Sequence, residues 1–173
     1  MKRLLFILAV LAVLSATLGI WFFGQRLSHR PAIDPEAAYI SDPRPDALDA
    51  YFKAKGMPLA GTGQAMVDAA DENGLDWRLL PAIAVRESTG GKAACGFNPF
   101  GWASCKNSTG EFESWEAAIK TVAAHLGGNV TSTRRYYGGK DTAGKLNAYN
   151  PPTIVPEYTA QVMAIMKVIQ PEP

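Results

Sequence analysis

The first pattern along this 173-residue chain is an apolar run at residues 4–24 that holds no charged side chain. A helix of about 20 residues spans roughly 30 Å, which is the thickness of the hydrocarbon core of a bilayer. Lys2 and Arg3 precede the run, so residues 1–24 are predicted to form an N-terminal transmembrane signal anchor. We therefore expect a membrane-anchored protein whose following domain lies outside the cytoplasm.

A cleaved signal peptide is the alternative, because it also begins with basic residues followed by an apolar stretch. The run continues through Trp21, Phe22 and Phe23, beyond the small residues that would mark a cleavage site, and this favours the anchor. If cleavage occurs, the remainder is secreted. Residues 25–45 contain four prolines and little apolar periodicity, which predicts an extended tether of up to about 60 Å.

Residues 46–170 show the 3.6-residue periodicity of amphipathic helices, and no alternating strand pattern interrupts it. The first four predicted helices have as capping residues Asp46, Thr62, Asp76 and Ser114. Two further helices are predicted at about residues 142–148 and from Pro156 onward, with Tyr158, Val162 and Met166 on the apolar face of the last. Pro81 is expected to kink the third helix. The predicted fold class is mainly α, with room for a small β-hairpin near Gly110.

Charge and composition exclude several functions. The chain has a net charge of +1, and without Lys2 and Arg3 the remainder carries 15 basic and 16 acidic residues, which argues against nucleic-acid binding. With two histidines and two cysteines, no metal site is expected. In an exported domain, Cys95 and Cys105 are expected to form a disulfide worth about 3 kcal/mol, two free thiols being the alternative.

Glu87 is the candidate centre of the chemistry. It continues the apolar stripe of Leu80, Ile83 and Ala84 by one turn and stands in the last turn of its helix, before a Gly-Gly pair. Burial and a helix C-terminus both disfavour a negative charge, which suits a group that must donate a proton. The alternatives are a carboxylate turned outward to Arg86 or Lys92, or one that accepts backbone N–H bonds from the next loop.

Four segments in order, LLPAIAVRESTGG, NPFGWAS, FESWEAAIKTVAAHL and AYNPPTIVPEYTAQVMAIM, resemble the glucosaminidase-type domain of the lysozyme-like superfamily, which is related to the lytic transglycosylases. The resemblance covers about residues 51–169 and implies a lysozyme-like helical domain. By position, it makes Glu87 the catalytic acid and places Tyr149 close to it as a further catalytic residue. It also implies that Asn98, Phe100 and Gly101 line the sugar cleft.

The resemblance adds Asn150, beside Tyr149, to the predicted substrate-binding residues. Trp102 joins them because an aromatic side chain beside a turn suits stacking on a sugar face. Each of these residues also has a structural alternative: Asn98 as a turn residue, Phe100 and Trp102 as core side chains, and Tyr149 as a packed ring with a satisfied hydroxyl. Trp115 and Tyr158 are expected in the core. Residues 134–137, with sequence RRYY, either line the cleft or form a solvated loop.

A glycosidase normally pairs its acid with a second carboxylate. Glu111 and Glu113 occupy the stretch where the family often places it, and we predict Glu113. Asp141 is a further candidate, whereas Glu116 has a sufficient structural explanation in the first turn of its helix. If no second acid reaches the cleft, the N-acetyl group or a hydroxyl of the substrate would complete the reaction.

These observations predict a cell-wall glycan hydrolase without a cofactor. Its expected partners are peptidoglycan or another N-acetylated glycan and, through the N-terminal helix, a membrane. A lytic transglycosylase and a non-catalytic glycan-binding module are the alternatives. A serine hydrolase is disfavoured, because His125 has no nucleophile motif near it.

Overall fold

The computed structural model describes residues 42–103 and 112–169. Within these residues the protein is mainly helical, and it has no strand beyond an isolated bridge between Cys95 and Asn98. The helices are α1 (Pro43–Ala54), α2 (Gly63–Glu72), α3 (Leu79–Ser88), α4 (Trp115–Gly127), α5 (Arg134–Tyr137), α6 (Thr142–Tyr149) and α7 (Tyr158–Val168). The predicted helical class is confirmed.

Helix α1 begins earlier than predicted. Asp42, not Asp46, is the N-cap, and its side chain accepts a hydrogen bond from the backbone N–H of Arg44. Pro43 stands at the first helical position, where a missing N–H costs nothing and the fixed φ suits the helix. The prolines that predicted extended chain up to residue 45 therefore include two in the first turn of α1.

Two more predicted caps act differently from what we expected. The Thr62 hydroxyl does not cap α2 but donates to the Leu59 carbonyl, and Asp49 of α1 accepts from Gly61 N and Gly63 N instead. Asp76 binds the backbone and guanidinium of Arg78, which is the N-cap residue of α3. Pro81 lies in the first turn of α3, so it removes no helical hydrogen bond and the expected kink has no cause.

The later helices follow the prediction. The Ser114 hydroxyl caps α4 by accepting from Ala117 N, and α4 ends at Gly128 with a left-handed φ of 79°. Asp141 caps α6 through Gly144 N. The pattern missed α5, which has only four residues and is too short for its periodicity to be seen.

One apolar core joins the helices. Helix α3 is its centre, since Leu79, Leu80, Ile83 and Ala84 are all essentially inaccessible to solvent. Helix α3 packs against α7 on one side and α2 on another, while α2 also contacts α1 and α4. As predicted, α7 buries Tyr158, Val162 and Met166. The last turn of α3 and the first turn of α7 therefore meet, and this contact places the candidate site.

Several predictions fall on residues outside those that the structure describes. These are the anchor at 1–24, most of the tether, the hairpin near Gly110, Glu111, and Cys105 with the disulfide that would include it. In the described part of the chain, no helix has the length and apolar character needed to cross a bilayer.

Candidate functional site

Glu87 lies half-buried at the end of α3, facing α7. Its Oε1 accepts a hydrogen bond of 2.6 Å from the hydroxyl of Tyr158, the first residue of α7. Its Oε2 lies 3.3 Å from the position that a Cβ would occupy at Gly101. The two oxygens of the carboxyl group therefore have different surroundings, one against the core and one against the loop that follows α3.

The two cations that could have paired with Glu87 bind elsewhere. Arg86 Nε donates to the side-chain oxygen of Gln161 at 2.7 Å, and Lys92 Nζ donates to the Lys55 carbonyl at 2.8 Å. No ion pair among the described residues includes Glu87. The alternative of an outward carboxylate paired with Arg86 or Lys92 is therefore wrong.

The Ser88 side chain connects α3 through hydrogen bonds to the loop that faces Glu87. Its hydroxyl oxygen lies 2.7 Å from the Pro99 carbonyl and 3.0 Å from the Ala84 carbonyl, and it accepts from Gly91 N. The Ser88 side chain is buried, so water does not compete for these bonds. No role was predicted for Ser88, although it follows the candidate acid directly.

The buried side chains of Asn98 and Phe100 hold the loop in its conformation. Asn98 is 2% exposed, and its side-chain amide donates to the Trp102 carbonyl and accepts from the Trp102 N–H. Phe100 is completely buried in the core. Asn98 therefore closes the turn and Phe100 anchors it in the core, which are the structural alternatives considered for them. Their contact with a substrate stays a prediction.

Gly101 is the loop residue nearest to the candidate acid. Its φ of +61° is in the left-handed region, and a Cβ there would stand 3.3 Å from Glu87 Oε2. Glycine is therefore favoured at this position for two reasons. It adopts the left-handed backbone conformation without the cost that other residues incur, and it has no side chain to prevent the close approach to the carboxyl group.

Gly101→Ala is expected to lower the free energy of unfolding by about 1–2 kcal/mol, from the left-handed backbone. It is also expected to reduce any activity of Glu87, because the new methyl group crowds Oε2. Gly56→Ala is the matched control: its φ is +58°, but nothing lies within 4 Å of the added Cβ. Denaturant unfolding and activity assays should show equal destabilisation of both variants and loss of activity in Gly101→Ala alone. Equal activity in both would contradict the close approach.

A cavity of about 360 Å³ lies over this loop. Among the described residues, it is lined by Gly101, Trp102, Ala103, Tyr137 and Tyr149. The volume is in the range of small-ligand sites. Gly101 both lines the cavity and adjoins Glu87 Oε2, so this one residue connects the candidate acid to the cavity, although Glu87 is not itself among the lining residues.

Aromatic rings form the walls of the cavity. The Trp102 ring centroid lies 5.7 Å from that of Tyr149 and 6.2 Å from that of Tyr137, and Tyr149 stacks on Tyr158 with 6.0 Å between centroids. Such a surface suits the apolar face of a sugar ring. The structure thus places Gly101 and Trp102 at the cavity and brings Tyr137 of the RRYY segment to it.

Tyr149 contacts the loop rather than the acid. Its hydroxyl donates to the Phe100 carbonyl. Burial raises the pKa of this hydroxyl well above its ordinary value, and the neighbouring Glu87 charge adds to the increase. The residue predicted beside the acid therefore lies near it, but its hydrogen bond holds the Phe100–Gly101 turn in place. Asn150 is half-buried after α6 and does not line the cavity.

The tyrosine that touches Glu87 is Tyr158, which was predicted only as a core residue. It is 1% exposed, as expected, yet its hydroxyl binds the carboxyl group. Burial, followed by the hydrogen bond to Glu87, raises its pKa far above the ordinary value, so the hydroxyl keeps its proton. The available signal was a hydroxyl-bearing ring on an otherwise aliphatic face, since a buried tyrosine needs a partner.

The RRYY segment was predicted either to line the cleft or to form a solvated loop, and its residues differ in this respect. Tyr137 is buried and lines the cavity, whereas Arg135 and Tyr136 are exposed. Buried Lys145 of α6 holds the segment in place by donating to the Tyr137 and Leu126 carbonyls at 2.9 and 2.7 Å. Burial lowers the pKa of Lys145.

The other carboxylates considered for the reaction, Glu113, Glu116 and Asp141, do not line the described part of the cavity. Glu113 is exposed and is not among the described residues that line the cavity. Glu116 lies in the first turn of α4, where backbone N–H bonds, followed by the Ser114 hydroxyl, lower its pKa. Asp141 serves as the N-cap of α6. None of these three carboxylates is among the described residues that line the cavity, and neither is Glu87, which adjoins the lining residue Gly101.

His125 packs against Trp102, one of the residues that line the cavity. Its ring packs 4.8 Å from that of Trp102, and its Nδ1 lies 2.8 Å from the Thr133 hydroxyl. Burial lowers its pKa. Within residues 42–103 and 112–169, no group of three or more His, Cys, Asp and Glu is arranged to hold a metal ion.

Comparison of the chain with protein-family models, with curated proteins and with solved structures found no match.

Proposed function

We propose that this protein cleaves β-1,4 glycosidic bonds in the glycan strands of peptidoglycan, as a hydrolase of the endo-β-N-acetylglucosaminidase type with a lysozyme-like fold. The observation that carries the proposal is the half-buried carboxyl group of Glu87 beside Gly101, which lines a cavity walled by aromatic rings. The order of the sequence motifs around Glu87, Gly101 and Tyr149 supports it independently.

Each part of the site has a task in this reaction. Glu87 donates its proton to the leaving glycosidic oxygen while positive charge develops on the anomeric carbon. Trp102 and Tyr149 offer ring faces on which a sugar can stack beside the acid. Asn98 and Ser88 hold the loop that brings Gly101 against the carboxyl group.

A lytic transglycosylase is the second candidate, and one observation favours it. A retaining hydrolase has a second carboxyl group about 5–5.5 Å from the first and an inverting one about 6.5–9.5 Å. The described residues lining the cavity include no such group. A transglycosylase needs only the one acid, because a hydroxyl of the muramic acid captures the anomeric carbon.

Mass spectrometry of the products separates these candidates. Purified peptidoglycan digested by the protein is expected to yield fragments with a reducing N-acetylglucosamine end. Fragments ending in anhydro-muramic acid would overturn the hydrolase in favour of the transglycosylase. Binding of the protein to peptidoglycan without any new end would leave a non-catalytic glycan-binding module.

For the location, we propose that residues 1–24 anchor the chain in a membrane and that the catalytic domain acts outside the cytoplasm. The support is the uncharged run of residues 4–24 after Lys2 and Arg3. Secretion after signal cleavage is the alternative, and it would release a chain that lacks this run.

A further inference from the structure

The two oxygens of the Glu87 carboxyl group are not equivalent. Oε1 lies 2.6 Å from the Tyr158 hydroxyl, in the contact between α3 and α7. Oε2 faces Gly101, which lines the cavity. A general acid that acts on a ligand in this cavity must present its proton on the second of these oxygens.

We propose that Tyr158 is a positioning residue that makes Oε2 the proton-bearing oxygen of Glu87 by donating its own hydrogen to Oε1. This inference rests on the proposed function of Glu87 as the acid. It assigns to Tyr158 a role that neither the helical pattern nor the position of Tyr149 indicated.

The Tyr158 ring is held rigidly enough for this role. It is 1% exposed and stacks on Tyr149 with an angle of 11° between the ring planes. The guanidinium of Arg86 also lies 5.7 Å from the ring centroid, and Arg86 is itself held by Gln161. A ring fixed by neighbours from α3, α6 and α7 keeps its hydroxyl directed at one carboxyl oxygen.

The direction of the hydrogen bond follows from the surroundings of the hydroxyl. Among the described residues, Glu87 Oε1 is the acceptor within hydrogen-bond distance of the Tyr158 hydroxyl. A buried hydroxyl that gave its hydrogen to no acceptor would lose about 1–3 kcal/mol. Tyr158 therefore donates to Oε1, and the acid proton of Glu87 goes to Oε2.

The proton transfer balances as follows. The proton on Oε2 moves to the glycosidic oxygen, the bond from that oxygen to the anomeric carbon breaks, and its electron pair stays on the oxygen. Glu87 becomes a carboxylate whose Oε1 still accepts from Tyr158, now as a stronger charge-assisted bond. Water, or a hydroxyl of the substrate, then attacks the anomeric carbon and returns a proton to Glu87.

The test replaces Tyr158 by phenylalanine and follows the Glu87 carboxyl carbon by NMR in protein labelled at glutamate, with Glu87→Gln identifying the signal. Loss of a hydrogen bond that favours the charged carboxylate is expected to move its titration midpoint upward by about one pH unit. A downward movement would mean that Glu87 donates to Tyr158 and would overturn the proposal. Tyr149→Phe is the control, since its hydroxyl binds the Phe100 carbonyl and not Glu87, and an equal movement there would also overturn it.

The wild-type protein gives a second measurement that needs no variant. The Tyr158 hydroxyl proton is expected to move downfield as Glu87 ionises, because a bond to a carboxylate is shorter and stronger than one to a neutral acid. No movement would overturn the proposal even if Tyr158→Phe did not fold.

Activity assays then separate this inference from the proposed function. Tyr158→Phe is expected to lower kcat about tenfold with little change in KM, and to move the alkaline limb of the pH profile upward. If the wild-type protein cleaves no glycan but its NMR titration behaves as expected, the proposed function fails and the positioning of Glu87 stands. If cleavage occurs and the titration does not respond to Tyr158, the positioning role alone fails.

Discussion

Replacing Glu87 by glutamine is expected to lower the rate of peptidoglycan cleavage by about 10²–10⁴-fold, which is the usual contribution of a general acid. Glutamine has nearly the same shape and can still accept from the Tyr158 hydroxyl through its side-chain oxygen. It has no acidic proton to give to the leaving oxygen. The variant should therefore fold and bind glycan like the wild type, and the measurement is the release of soluble fragments from purified peptidoglycan.

Glu72→Gln is the matched control for this substitution, because Glu72 is exposed at the end of α2 and away from the cavity. It should cleave like the wild type. A Glu87→Gln variant that also cleaves at the wild-type rate would contradict the assignment of the acid. Glu113→Gln shows whether the predicted second carboxylate takes part: a loss comparable to that of Glu87→Gln would place Glu113 in the reaction.

Replacing Phe100 by alanine is expected to lower the free energy of unfolding by about 3–5 kcal/mol, the cost of emptying a fully buried phenylalanine site. The substitution should also loosen the turn that carries Gly101 and so reduce activity as a secondary effect. Denaturant unfolding measures the first effect. A variant that keeps its stability and loses only glycan binding would show instead that Phe100 stacks on the sugar.

Trp102→Ala is the comparison that makes this result informative. Trp102 is half-buried and forms a wall of the cavity, whereas Phe100 two residues earlier is inaccessible. Trp102→Ala is expected to weaken binding to insoluble peptidoglycan more than Phe100→Ala does, and to cost less stability. If Phe100→Ala weakened binding more than Trp102→Ala and cost less stability, Phe100 would not be the core residue or Trp102 the cavity residue.

Local sequence rules predicted those elements that depend on neighbours along the chain. Ser114 caps α4 as predicted, because an N-cap needs only its own hydroxyl and an N–H three residues later. The Asp46, Thr62 and Asp76 caps were wrong, because other partners were available: Asp42 one turn earlier, the Leu59 carbonyl, and the Arg78 guanidinium. A capping residue that has several partners within reach cannot be assigned from its type alone.

The sequence indicated which segments would surround the candidate site, but not which way the side chains of the 98–103 loop would point. Spacing placed Glu87 on the inner side of α3, and the resemblance placed Tyr149 near it. Neither indicated that Asn98 would bond both backbone groups of Trp102, or that Phe100 would point into the core. Side chains in a turn have no periodicity, so their direction depends on what the rest of the fold places above and below the loop.

The sequence by itself determined that the domain predicted at residues 46–170 would be mainly helical, and it placed Glu87 in line with the apolar stripe of α3, because helical periodicity is a property of neighbouring residues. Only the tertiary structure decided that Tyr158, 71 residues later, would bind that carboxyl group, and that Gly101 would leave room for its other oxygen. Those contacts depend on how α7 and the 98–103 loop pack against α3. No local pattern encodes the distance between residues so far apart in the chain.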